Sequence, residues 1–124
     1  MGKEPDNNLV CRGPWGTIRY AICFNGRMPS QDFLSDLSIE DQAKFLALFD
    51  RMAQVGQIRN REQFKKVEGR IFEFKRFQIR VGCFQSGNSW VLTHGFVKKK
   101  NRWPKAELER AERIRREHLE SRGT

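Results

Sequence analysis

Only three cysteines, two histidines and one tyrosine occur in the 124 residues. The cysteines, Cys11, Cys23 and Cys83, make no C-x-x-C pair, and an odd number cannot close into a complete disulfide framework, which fits a reducing compartment. His94 and His118 lie too far from the cysteines in sequence for a local zinc pattern, so no metal or other cofactor is expected. No run approaches the roughly 18 apolar residues of a membrane span, and the start MGKEPDNN lacks the apolar centre of a signal peptide. A soluble, cytoplasmic protein with no membrane partner is the expectation.

Charge of one sign is present in excess. Lys and Arg number 24 against 15 acids, a net charge of +9 with a pI near 10.0. Residues 30 to 56 hold two bases and five acids, whereas 57 to 97 and 98 to 124 each contribute +5. This asymmetry points to a polyanionic partner bound by the second half.

The length suits one domain over 1–124, with 1–16 expected as a flexible extension. Thr17 to Phe24 is β-branched and aromatic, and runs to the turn signal Asn25-Gly26, so it predicts a strand. Ser30 is a candidate cap for a short turn over Phe33, Leu34 and Leu37. Ser38 with Asp41 resembles a capping box in front of a helix that Gly56 stops. The apolar stripe of that helix runs through Ile39, Ala43, Leu46, Phe49 and Ala53, widened by Phe45 and Met52. Four short β-like runs follow, 64–67, 70–75, 77–84 and 89–98, and Pro104 suits the start of a last helix lined by Leu108, Ala111, Ile114 and Leu119. The fold class is α+β: a small antiparallel sheet in β-α-α-β-β-β-α order with helices packed on one face.

In RIFEFKRFQIRVGCF, alternation sends Ile71, Glu73 and Lys75 one way and Phe72 and Phe74 the other. Gln78 and Arg80 likewise oppose Phe77, Ile79 and Val81. With the apolar side on the helices, Lys75, Arg80 and Glu73 stand on an open face, beside Lys98, Lys99, Lys100 and Arg102 at the end of the following strand. Such a basic run is either a solvated loop or the rim of an anion groove.

The segments RIFEFKRFQIRVGCF and VLTHGFVKKKNRWPKAELERA resemble the phage-derived, HigB-like branch of the RelE/HigB toxin superfamily. Its members run from E-L-R, through a strand with a central Arg, to L-H-G-F-x-K-K-x-x-x-x-P and a final helix. The resemblance spans roughly residues 17 to 118 and is most specific from Glu73 to Pro104. It implies the toxin of a toxin–antitoxin pair that cuts messenger RNA in the ribosome without metal, by attack of the ribose 2′-hydroxyl on the adjacent phosphate. Arg80 and Lys98 match the family's phosphate-stabilising positions, and Lys75 falls where the branch commonly has Arg. Lys99, Lys100, Arg102 and Trp103 would then hold flanking RNA or the ribosome. The implied partners are a small helix-turn-helix antitoxin, the ribosome and messenger RNA.

Proton transfer has no obvious owner, because the single tyrosine, Tyr20, lies in the first strand. His94 is either a general acid/base or a hydrogen-bonded structural residue. Glu73 is either a base or the partner of a sheet cation, and Trp103 either stacks on a base or packs on the last helix. Arg113, Arg115 and Arg116 either touch RNA or form a solvated face. Two other functions stay open, a ParE-like gyrase inhibitor of the same fold and a basic RNA-binding prophage remnant.

Overall fold

The computed structural model describes residues 7–122. Its elements, in chain order, are β1 (Leu9–Arg12), β2 (Thr17–Tyr20), α1 (Pro29–Ser35), α2 (Ile39–Val55), β3 (Phe64–Glu68), β4 (Ile71–Arg76), β5 (Ile79–Ser86), β6 (Ser89–Val97) and α3 (Lys105–Arg122). The α+β class holds, with one more meander strand than the expected order and an added strand at the front. Leu9–Arg12, expected within a flexible extension, pairs antiparallel with β2. The first six residues lie outside the described part of the chain.

One six-stranded sheet has the order β1-β2-β6-β5-β4-β3. Short hairpins make the meander β3 to β6 antiparallel, as their turn residues require. The join between β2 and β6 is parallel, which makes the sheet mixed rather than wholly antiparallel. Strand β2, expected to run to Phe24, stops at Tyr20 because the chain turns at Cys23–Arg27, where Gly26 takes φ 82° and its amide donates to the Cys23 carbonyl.

Local signals at α2 act as the residues suggest. The Ser38 side chain accepts from the Asp41 amide at 3.1 Å, and Gly56 ends the helix at φ 79°. The buried stripe is Phe45, Phe49, Met52 and Ala53, while Ile39 and Leu46 are exposed. Ser30 does not cap α1: Met28 holds that position, and the buried Ser30 hydroxyl donates to the Leu92 carbonyl at 3.1 Å. That bond ties the helix to the sheet.

The helices do not share one face. Phe45, Phe49 and Met52 of α2 and Leu34 of α1 pack with Ile18, Phe74, Val81 and Leu92 on one side. Ala111 and Ile114 of α3 pack with Ile71, Phe84, Val91 and Phe96 on the other. The surface expected to be open is therefore covered in part by α3 and by Trp103, which precedes it.

A bulge in β6 decides which side chains meet there. Val81 pairs with Gly95 but Cys83 pairs with Leu92, so β6 carries one residue more than β5 across this interval. The extra residue inverts the alternation along β6. Val91 and Phe96 consequently face α3 although five positions apart, and Leu92 and Gly95 face the other helices. Gly82 sits opposite the bulge, where a Cβ would come within 2.6 Å of the Thr93 hydroxyl and 2.9 Å of the Trp103 ring.

Candidate active site

The site is built on three adjacent strands. On β4, Glu73 is 1% exposed, with Lys65 of β3 and Gly82 of β5 as its cross-strand neighbours. Trp103 lies over Gly82 and donates its indole N–H to Glu73 Oε1 at 2.8 Å. Arg80 of β5 places Nε 3.2 Å from the same oxygen, an ion pair without the alignment of a hydrogen bond. Lys65 Nζ stands 3.9 Å from Glu73 Oε2. Charged and N–H partners replace the water that a carboxylate this deep has lost.

Arg80 is itself enclosed, at 6% exposure, and its Nη1 donates to the carbonyls of Phe77 at 2.7 Å and Ile79 at 3.1 Å. It does not stand on an open face with its fork free, because α3 and Trp103 cover that side of the sheet. Lys75 is its cross-strand partner, and the Lys75 ammonium donates to the Arg61 carbonyl at 3.3 Å. Lys98 continues β6 beyond Val97, its amide donating to the Gln78 carbonyl at 2.7 Å. The Lys98 side chain is 7% exposed and has no hydrogen bond or ion pair among the described residues.

Lys65 and Arg80 thus pair with one carboxylate, and Lys75 and Lys98 lie near enough to feel its charge. Burial, then the charges of Arg80, Lys65 and Lys75, pushes the Lys98 ammonium below the ordinary lysine value, against the pull of Glu73. Lys75 is lowered in the same way, by burial first and then by Lys65. Four cations against one carboxylate leave positive charge in excess, and desolvation, the larger cause of both shifts, acts in the same direction. A phosphodiester would relieve that excess, and an acidified ammonium can release a proton at lower pH than a free lysine.

The other expected site residues separate into two groups. Lys99, Lys100 and Arg102 are exposed beyond β6, and Arg102 lines a different cleft with Lys105, Arg113 and Arg116 against Glu109 and Glu112. Trp103 is 8% exposed, its ring edge-on to Phe96 with centroids 4.8 Å apart, so its packed ring has no free face for a nucleobase. On α3, Arg113 pairs with Glu117 at 3.0 Å and Arg115 lies 5.6 Å over the Phe84 ring.

His94 is 1% exposed, with Nε2 3.0 Å from Glu107 Oε1 and Nδ1 3.3 Å from the Thr93 hydroxyl. Burial, reinforced by Arg110, pushes its pKa down to about 4 although Glu107 pulls the other way. A neutral ring donating to Glu107 and accepting from Thr93 satisfies both nitrogens, which leaves none for a substrate. Because the folded value lies below the ordinary 6.5, the associated stability is present above about pH 6.5 and is lost as pH falls toward 4. Unfolding titrations should show a loss on the order of 3 kcal/mol across that window. His94→Gln should flatten it, and an unchanged profile would remove His94 as its source.

Lys65 escaped the sequence reading, although alternation from the buried Phe64 gave a usable signal by placing it across from Glu73. Among the described residues, no group of three His, Cys, Asp or Glu side chains is arranged to hold a metal ion. Burial raises the thiols of Cys11, Cys23 and Cys83, with Cys11 pushed up to about 11, so none is an activated nucleophile.

Fold and cluster together define a RelE-like α+β domain with a group of cations on its meander. Residues 32–116 match the family described as Phage derived protein Gp49-like (DUF891), and the chain belongs to it. This is a toxin-like family related to RelE and HigB. No curated protein matches the chain. No helix among the described residues is long and apolar enough to cross a membrane.

Proposed function

We propose that the protein is the toxin of a toxin–antitoxin pair and cleaves messenger RNA in the ribosome, with the Lys65, Lys75, Arg80 and Lys98 cluster holding the scissile phosphate. The observation that carries this reading is Lys98, largely enclosed along its length but with its ammonium reaching solvent and without a protein acceptor, beside an arginine already committed to Glu73. The ribose 2′-hydroxyl loses its proton to water and attacks phosphorus, the bond from phosphorus to the 5′-oxygen breaks as that oxygen takes up a proton, and the products are a 2′,3′-cyclic phosphate and a 5′-hydroxyl. Negative charge grows on the phosphate oxygens, where fixed cations lower the barrier most. In this reading Lys98 gives a proton to the leaving oxygen, its acidity raised by burial first and by its cationic neighbours second. Lys99, Lys100 and Arg102 supply attraction for flanking RNA.

Induction of the chain should arrest growth, and sequencing of cellular RNA should reveal new 5′-hydroxyl ends within reading frames. In vitro, cleavage should persist under chelation where the ribosomes are kept intact by other means. Arrest without new RNA ends, accompanied by blocked DNA supercoiling, would replace this reading with gyrase inhibition. The enclosure of both His94 and Glu73 is what favours that rival.

A further inference from the structure

Packing alone does not call for an acid at Glu73. It is buried on the side of the sheet where Ile71, Phe84, Val91 and Phe96 form a core, and an apolar side chain would sit there without the cost of burying charge. A buried ion pair adds little net stability over such a replacement, so stability does not explain the carboxylate. Its orientation is specific. Oε1 accepts the Trp103 indole N–H at 2.8 Å and faces Arg80 Nε at 3.2 Å, while Oε2 is the oxygen nearer Lys65, at 3.9 Å. Gly82, directly across from Glu73, makes the arrangement possible. Having no Cβ, it admits the Trp103 ring above the strand, and Arg80, two residues before it, reaches the carboxylate diagonally.

The consequence falls on Arg80. Its Nη1 is held by the carbonyls of Phe77 at 2.7 Å and Ile79 at 3.1 Å, and its Nε lies against Glu73. These three anchors fix the plane of the guanidinium. Nη2 makes no hydrogen bond or ion pair among the described residues and, unlike Nε, is not closed off from solvent. Arg80 therefore offers one nitrogen in one direction, where an unrestrained arginine would offer a mobile fork. Without the Glu73 charge the Nε edge would have no partner, because no other acceptor lies in hydrogen-bonding position for it.

We infer that Glu73 is a positioning residue: its carboxylate, fixed by Trp103, locks the Arg80 guanidinium so that Nη2 is presented to the phosphate. The inference rests on the phosphate-holding reading and assigns the buried acid its part in that site, in which it neither touches the substrate nor moves a proton. A cation already aimed has no reorganisation to undergo as charge develops.

The test is a double-mutant cycle in single-turnover cleavage of messenger RNA on ribosomes, with affinity for a single-stranded oligodeoxynucleotide, which lacks the attacking 2′-hydroxyl, measured beside it. Glu73→Gln keeps the shape and an oxygen for Trp103 but drops the charge. It should slow cleavage about 10²-fold, the cost of a misplaced group, while oligonucleotide affinity does not fall, since a negative charge has left a cationic cluster. In an Arg80→Ala background the same change should cost no further rate, because Glu73 acts through the guanidinium. Nuclear magnetic resonance of the free protein gives a second readout: the Arg80 Nε–H signal, assigned by its absence in Arg80→Lys, should be slow to exchange in the parent and move to the free-arginine position in Glu73→Gln. Rate lost equally in both backgrounds, as for a general base, overturns the inference. So does rate and affinity falling together, parent-rate cleavage by Glu73→Gln, or an unmoved Nε–H signal. Should Glu73→Gln not fold, Trp103→Phe decides, since it removes the N–H that fixes the carboxylate and keeps an aromatic ring; cleavage and an Nε–H signal like the parent's then overturn the inference. A folded parent that cleaves no RNA defeats the phosphate-holding reading itself, whatever the Nε–H signal shows.

Discussion

Arg80→Ala is expected to lower stability by about 3–5 kcal/mol, the cost of leaving one member of a buried ion pair without its partner. Glu73, at 1% exposure, would keep the Trp103 N–H but lose the guanidinium 3.2 Å away, with Lys65 still at 3.9 Å. An arginine on an open face could be removed with the fold intact; an enclosed one cannot. Combining Arg80→Ala with Glu73→Gln removes the stranded charge, and denaturant unfolding should recover a large part of the loss. Growth inhibition should stay absent in the double variant, because the cation is still missing. If the single variant unfolds at the parent's denaturant concentration, the pair does not hold this region together.

The second large effect is expected at Lys98. Removing a charge aimed at the developing phosphate anion typically costs about 10² to 10³ in rate, near 3–4 kcal/mol. Lys98→Ala should show that loss in single-turnover cleavage, with a smaller loss of RNA affinity, since Lys65, Lys75 and Arg80 remain. Lys98→Arg separates charge from proton transfer, because a guanidinium keeps the charge but does not give up its proton. It should bind as the parent does and cleave slowly. An ammonium acting as acid must be protonated, so the parent rate should fall as pH rises through its lowered pKa, below the ordinary lysine range. Parent-like cleavage by Lys98→Arg would assign the residue to charge alone.

Much of the scaffold was legible because its signals are local. Ser38 with Asp41, Gly56, and the turns at Gly69 and Gly87 each act within a few residues. The site was legible in identity but not in depth. Alternation placed Glu73, Lys75 and Arg80 on one face, yet nothing near them in sequence says that Trp103 and α3 cover it. Nor does the pattern of β6 announce the bulge, because Thr93 and His94 both suit a strand. Phe77 was misread for a related reason: it continues the apolar alternation of Ile79 and Val81, whereas the chain turns there and turns the ring outward.

The parallel join of β2 to β6 governs when this protein can become whole. Thr17 and Ser89 touch at 2.6 Å across 72 residues of chain. The hairpins from β3 to β6 need only close neighbours and can pair early, while β2 must wait for β6 and α3 must wait longer still. Non-local pairing of this kind slows folding, because the loop entropy is lost before the contact is gained. A nascent chain still on its own ribosome holds part of the meander without Lys98, Trp103 or the helix that encloses Glu73. The order of synthesis therefore delays assembly of the cationic site until Lys98, Trp103 and α3 have followed the hairpins out.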